Sequence, residues 1–376
     1  METIALKYGD FYLKSAVIFV SVIIIMICRC LAASEKPITV PKTLIWTYTD
    51  FDELRANART WHDIKGIDGF IFCFVNRVNA GPVRWDSGPE KIADLYKELP
   101  QTVKALKSAD ITANFVHANM DDPTFDWFDQ PRTEKMIATF RALAKTARET
   151  GCIGVAIDTE AYSPKVWDPT AYPVDKRSEL NLRIRQIGSA VMDAILTEFP
   201  EAEIIILPEG AYIDLKNAPG GLFIYRNWIQ FINGLTASQP KQGITVLTEC
   251  GYFWKDPTQI AIMHGELNAA MTLGMATFPS YWMGKCGIGH GAAVLGGGKD
   301  GKGSWQTPKE FAQQWQMMSR LSPKYRFVFA YESGFAYYPA GVDKLKIKAF
   351  GTPLPKDADR YFKVLRDSRN PDFTNK

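Results

Sequence analysis

The sequence predicts a single-domain α/β fold of the (β/α)8 TIM-barrel class, and three observations predict it. Eight apolar runs rich in Val, Ile, Phe and Tyr recur along the chain. Most are continuous rather than alternating, as expected of parallel strands buried on both faces. Segments with helical periodicity and good start signals separate them. Eight such units over roughly 330 residues match a barrel of about 250 residues enlarged by loop insertions. An open doubly wound sheet is the alternative. It calls for a glycine-rich first turn, and the turn after the first strand reads Asp50-Phe51-Asp52-Glu53.

The predicted strands are, in order, Thr43–Thr49, Asp68–Val75, Ile111–His117, Gly151–Asp158, Ala202–Leu207, Gly243–Thr248, Met275–Tyr281 and Tyr325–Tyr331. Between them, Ala138–Thr150, Leu180–Phe199 and Ile260–Leu273 carry an apolar stripe at the 3.6-residue period and end at Gly or Pro. Thr307-Pro308-Lys309-Glu310 reads as a helix start, with Thr at the N-cap, Pro at the first helical position and Glu closing a capping box. Asp256-Pro257-Thr258-Gln259 follows the same logic. Gly296–Gly303 is the one low-complexity stretch, a glycine-rich loop between strands seven and eight.

The chain has 376 residues, and the first thirty-three stand apart. Lys7 and Lys14 precede an apolar run from Ala16 to Cys28, and small residues follow at Ala32-Ala33-Ser34. That order is expected of a signal peptide over residues 1–33, with a retained amino-terminal anchor as its rival. The run is shorter than the roughly 20 residues a spanning helix needs. Residues 34–40 then form a linker and 41–376 the barrel. The expected destination is export: extracellular, periplasmic or, if the segment is retained, tethered to a membrane.

Net charge is +3 with 23% charged residues, and the basic residues are scattered, which excludes nucleic acid as an expected partner. Six cysteines fall to four once Cys28 and Cys30 leave with the leader. No C-x-x-C occurs, so a thiolate zinc site is not expected. Cys250 and Cys286 are placed near one barrel mouth and could bridge, buried free thiols being the alternative. The four histidines, His62, His117, His264 and His290, miss the H-x-H that a metal-dependent amidohydrolase needs on its first strand. Asp121, Asp122, Asp126 and Asp129 could offer oxygen ligands to calcium, but without EF-hand spacing they read as a solvated acidic loop. No cofactor is expected.

In this fold, chemistry belongs at the carboxyl ends of the strands. Those ends carry Asp50; Asn76 and Arg77; His117 and Asn119; Asp158, Glu160 and Tyr162; Glu209; Glu249, Tyr252 and Trp254; Tyr281 and Trp282; and Glu332. Carboxylates buried without partners are expensive, so carboxylates at five strand ends suggest use. Asp158 and Glu160 are two apart and on an extended strand would face one side, where two charges push one pKa up. That suits Glu160 as a general acid steered by Asp158. Glycosidic cleavage needs a second carboxylate as nucleophile or base, and Glu249 and Glu209 are both candidates. Sugar rings stack on aromatic faces, for which Tyr162, Tyr252, Trp254, Tyr281 and Trp282 are the expected platforms among many aromatics that also include Trp46, Trp85, Trp127 and Trp167. The remaining strand-end polar groups, Asp50, Asn76, Arg77, His117, Asn119 and Glu332, would bind hydroxyls.

The strand-four stretch Ile153-Gly-Val-Ala-Ile-Asp-Thr-Glu160 resembles D-G-x-D-x-D-x-E, the signature of family 18 glycoside hydrolases, the chitinases. Gly154, Asp158 and Glu160 match, while Ile153 and Ala156 occupy the first two acidic positions. The resemblance implies an acid at Glu160 on strand four. Gly66-Ile-Asp-Gly-Phe70 is similar to the G-I-D-G-F of glycoside hydrolase families 71 and 99, barrels acting on α-linked glucans and mannans. Together these imply a glycosidase acting on an oligo- or polysaccharide. A carbohydrate-binding barrel without catalysis is the alternative.

Overall fold

The computed structural model describes residues 40–49, 51–75, 83–122, 124–161, 163–208, 227–249, 251, 256–274, 278–293, 306–329 and 358–375. All belong to one unit, Val40–Lys376. Residues 1–39, which hold the predicted leader and linker, lie outside them. Eight parallel strands close into a ring in chain order. They are β1 (Lys42–Thr49), β2 (Gly69–Val75), β3 (Phe115–Asn119), β4 (Gly154–Asp158), β5 (Glu203–Leu207), β6 (Ile244–Thr248), β7 (Gly287–Ala293) and β8 (Tyr325–Phe329). Closure is made by β1 on β8, from Lys42↔Tyr325 to Trp46↔Phe329.

The period-two alternation of each strand sorts its side chains into two cores. Ile45, Phe70, Phe72, Val116, Val155, Ile157, Ile204, Ile206, Val246, Ile288 and Val328 face the helices. Leu44, Trp46, Ile71, Cys73, Phe115, Ala156, Ile205, Leu207, Leu247, Tyr325 and Phe327 fill the ring. Both sets are buried, which is why the strands read as continuous apolar runs.

The intervening helices begin where their caps predict. Thr307 and Glu310 form the reciprocal capping box that starts the helix Pro308–Leu321. Asp256 accepts the Thr258 N–H at 2.9 Å ahead of Pro257–Gly274. The helix Ala358–Asp367 packs on Pro308–Leu321, and just beyond it Ser368 accepts the Trp315 indole at 3.0 Å. Among the described residues, no helix is long and apolar enough to cross a membrane.

Two strands differ from expectation by more than three residues. Of the predicted seventh strand, Met275–Tyr281, residues 275–277 lie outside the described residues, and Pro279 opens a helix that runs to Lys285, with β7 following it. Gly287-Ile-Gly-His-Gly-Ala-Ala293 lacks the bulky residues that announce a strand, because its neighbour supplies them. A Cβ on Gly289 would stand 2.3 Å from the Tyr325 carbonyl oxygen, and one on Gly291 2.2 Å from the Phe327 ring. The third strand starts four residues later than predicted. Asn114 intervenes, its side chain accepting from Phe70 N–H at 3.1 Å and donating to the Ile111 carbonyl at 3.0 Å. β3 therefore ends at Asn119 and presents His117 and Asn119 on its inner face.

Candidate active site

β3 and β4 are neighbours in register, with His117 opposite Ala156 and Asn119 opposite Asp158. Their last inward side chains meet at the carboxyl end of the ring. Asp158 Oδ2 accepts from Asn119 Nδ2 at 2.8 Å and from His117 Nε2 at 3.3 Å. Asp158 Oδ1 accepts the backbone N–H of Glu160 at 3.0 Å. Asp158 is 3% exposed and His117 1%, so this carboxylate is buried with three donors on its two oxygens. Trp46, reaching in from β1, stands 6.3 Å from the His117 ring and 6.2 Å from Phe327, centroid to centroid.

The cluster is held from outside the ring. β2 and β3 pair only at Ile71↔Phe115 and Phe72↔Val116. Above that the Tyr96 hydroxyl fills the gap, accepting His117 N–H at 3.2 Å and lying 3.2 Å from the Phe72 carbonyl, to which it donates. Burial raises the Tyr96 phenol well above its ordinary pKa. The segment Val83–Trp85 continues the edge of β3: Asn119 donates its N–H to Val83 O at 2.8 Å, and Trp85 donates its N–H to Asn119 O at 2.9 Å.

Thr159 sets the exit of β4. Its backbone N–H and hydroxyl are drawn to β5, the hydroxyl lying 2.9 Å from the Leu207 carbonyl and 3.0 Å from that of Pro208. The Trp228 indole donates to that hydroxyl at 2.9 Å, and the Trp167 indole donates to the Thr159 carbonyl at 2.8 Å. β4 as a hydrogen-bonded strand thus ends at Asp158, two residues before Glu160. Half-buried Glu160 is tied to Asp158 through its backbone N–H.

The structure therefore brings His117, Asn119, Asp158 and Glu160 together. Half-buried Glu249 lies directly after β6, at the same end of the ring. Asp50, Asn76, Arg77, Tyr162, Glu209, Tyr252, Trp254 and Glu332 lie outside the described residues, as do Gly296–Gly303. Tyr281 and Trp282 are corrected. They sit on the helix before β7, at the amino-terminal end of the barrel, where Tyr281 donates to the Pro240 carbonyl at 2.5 Å and Trp282 is buried. Trp85, Trp127 and Trp167 are buried in the helix-facing core, with Trp127 5.6 Å from Trp167.

Cys286 moves with that helix: it is a free thiol beside Ile244 N–H at the start of β6, the end of the barrel opposite the expected mouth. Cys250, which follows β6, lies outside the described residues, and a bridge between the two is not supported by these strand positions. The acidic loop after β3 is spent on structure. Burial opposes ionisation of Asp122, but the Thr124 amide and hydroxyl and Arg132 outweigh it and hold the carboxyl below its usual range. Asp122 also pairs with Arg84 at 3.0 Å, and Asp129 caps the helix Gln130–Thr150. Among the described residues, no three His, Cys, Asp or Glu side chains gather as metal ligands. Tyr96, Thr159 and Trp228 escaped the sequence reading, since each acts through a long-range bond that leaves no local pattern.

No family model matches the chain, and no curated protein matches it. Solved structures do. An endo-1,4-β-mannanase from Rhizomucor miehei aligns at 9% identity and TM-score 0.51, over 89% of this chain and 96% of its own. The exo-β-1,4-mannosidase Op5Man5 from Opitutaceae bacterium strain TAV5 aligns at 11% identity and TM-score 0.50, over 88% of this chain and 59% of its own. A GH18 chitinase from Pseudoalteromonas aurantia aligns at 11% identity and TM-score 0.44, over 77% and 93%. At these identities the likeness shows the fold alone, an eight-stranded parallel barrel.

Proposed function

We propose that the protein is a glycoside hydrolase acting on an oligo- or polysaccharide at the carboxyl end of the barrel. The observation that carries this reading is the buried Asp158 carboxylate, held by His117 and Asn119, with Glu160 hung from it. A fixed anion beneath Glu160 disfavours a second charge there, which suits Glu160 to hold a proton for a departing glycosidic oxygen. The chain shares its fold with barrels named as an endo-1,4-β-mannanase and an exo-β-1,4-mannosidase, which accords with a glycan substrate.

The second carboxylate is Glu249, with Glu209 its competitor. β4 and β6 flank β5, so their backbones stand about 10 Å apart, and side chains reaching inward from two such strands can meet at the ~5–9.5 Å separation that glycosidases use. We place the activity outside the cytoplasm, on the leader read from residues 16–33. A screen of purified protein against mannans, glucans, chitin and aryl glycosides tests the reading. Release of reducing ends that depends on Glu160 supports it. Binding without hydrolysis would make the protein a carbohydrate-binding barrel, and neither would remove the reading.

A further inference from the structure

Two inward residues of β3, His117 and Asn119, spend their side-chain donors on a single oxygen of Asp158. This leaves the other oxygen for the Glu160 N–H. The division fixes the rotation of the Asp158 carboxylate about its Cβ–Cγ bond, because each oxygen has its own donors. It also fixes the protons on His117. Asp158 accepts from Asn119 and from Glu160, so it acts here as an acceptor, and the His117 nitrogen facing it must be the donor, Nε2–H. The other ring nitrogen, Nδ1, is buried with no partner among the described residues. A second N–H there would put a charged, unpaired donor in the barrel interior, whereas a bare lone pair costs far less. The surroundings agree: His117 is 1% exposed, and the Trp46 ring lies beside it.

We propose that His117 is a positioning residue which, as the neutral Nε2–H imidazole, locks the Asp158 carboxylate in the orientation from which Glu160 is hung. Tyr96 serves the same end one step back, holding the His117 backbone across the gap between β2 and β3. His117 touches no reacting atom in this account. It acts through Asp158. For its effect on turnover the proposal rests on the glycosidase reading, but its hydrogen-bond claim does not.

The chain has four histidines, which makes the test direct. In protein labelled with 15N-histidine, long-range proton–nitrogen correlations at neutral pH distinguish the two neutral tautomers from the imidazolium. The His117 signal is identified by its loss in His117→Gln. The expected pattern is a neutral ring protonated at Nε2, giving way to averaged tautomers in Asp158→Ala. An Nδ1–H tautomer, an imidazolium, or a pattern unchanged in Asp158→Ala overturns the proposal.

The second arm uses whichever natural glycan the wild type cleaves, since its poor leaving group makes turnover depend on the proton from Glu160. His117→Phe keeps a ring of similar volume and should lower kcat at least tenfold with KM within about twofold, and His117→Gln, which retains a donor, should restore most of the loss. Full kcat in His117→Phe with an unchanged melting temperature overturns the proposal. If no glycoside is cleaved, the glycosidase reading fails alone and the tautomer decides. A His117→Phe chain that does not fold leaves the decision to the wild-type tautomer and to His117→Gln.

Discussion

His264 Nδ1 stands 2.8 Å from His290 Nε2, in the layer between the helix Pro257–Gly274 and β7. One ring donates and the other accepts, and Asn268 completes the chain at 2.7 Å from His264 Nε2. Protonating both rings would set two donors face to face. Burial lowers the His264 pKa to about 4, and burial together with its neighbour drives that of His290 well below the ordinary value of 6.5.

Between pH 6.5 and about 4 the unfolded chain binds protons that the folded chain refuses, so stability is intact above pH 6.5 and falls as pH falls through that window. The slope approaches about 1.4 kcal/mol per pH unit for each proton. Denaturant melts at pH 7, 6 and 5 should show this loss while most carboxylates stay charged. His264→Gln should flatten it, and an equal slope in that variant would count against the pair.

Thr159→Val keeps the shape of the side chain and removes its hydroxyl. The Trp228 indole N–H then loses its acceptor inside the protein, and the Leu207 and Pro208 carbonyls lose a donor. The expected cost is about 1–3 kcal/mol by urea denaturation. A change within about 0.5 kcal/mol would mean the clamp at the end of β4 carries no stability.

Gly291→Ala should overpack the ring against Phe327, at about 1–3 kcal/mol. Phe327→Leu in the same chain should return part of that loss, giving a coupling energy of the sign expected for residues in contact. Additive effects would contradict the tight opposition of β7 and β8.

These positions also show what the sequence could and could not convey. Seven strands were legible because each buries two apolar faces within one short segment. β7 was not, since its glycines answer to Tyr325 and Phe327 more than thirty residues away, and the last residues of its predicted stand-in, Pro279 to Tyr281, belong to a helix. Tyr281 and Trp282 went to the wrong end of the barrel for that reason alone. At the site, Asp158 and His117 were legible as strand-end residues. The way Asp158 is used was not, because its donors His117 and Asn119 reach it from β3, about forty residues away in the chain.

Export is tested by amino-terminal sequencing of protein recovered outside native cells. Cleavage predicts a start near Ser34, and an intact Met1 on cytoplasmic protein would contradict it.

The central claim is that Glu160 donates the proton to the departing sugar oxygen, and the most direct measurement compares Glu160→Gln with wild type on two substrates. A natural glycan has a poor leaving group and depends on that proton, whereas an aryl glycoside with a good leaving group does not. The account predicts that Glu160→Gln lowers turnover of the natural glycan by about 100-fold or more while leaving the aryl glycoside largely unaffected. Natural-glycan turnover within a few-fold of wild type would contradict it, and would return the Asp158–Glu160 pair to a structural role.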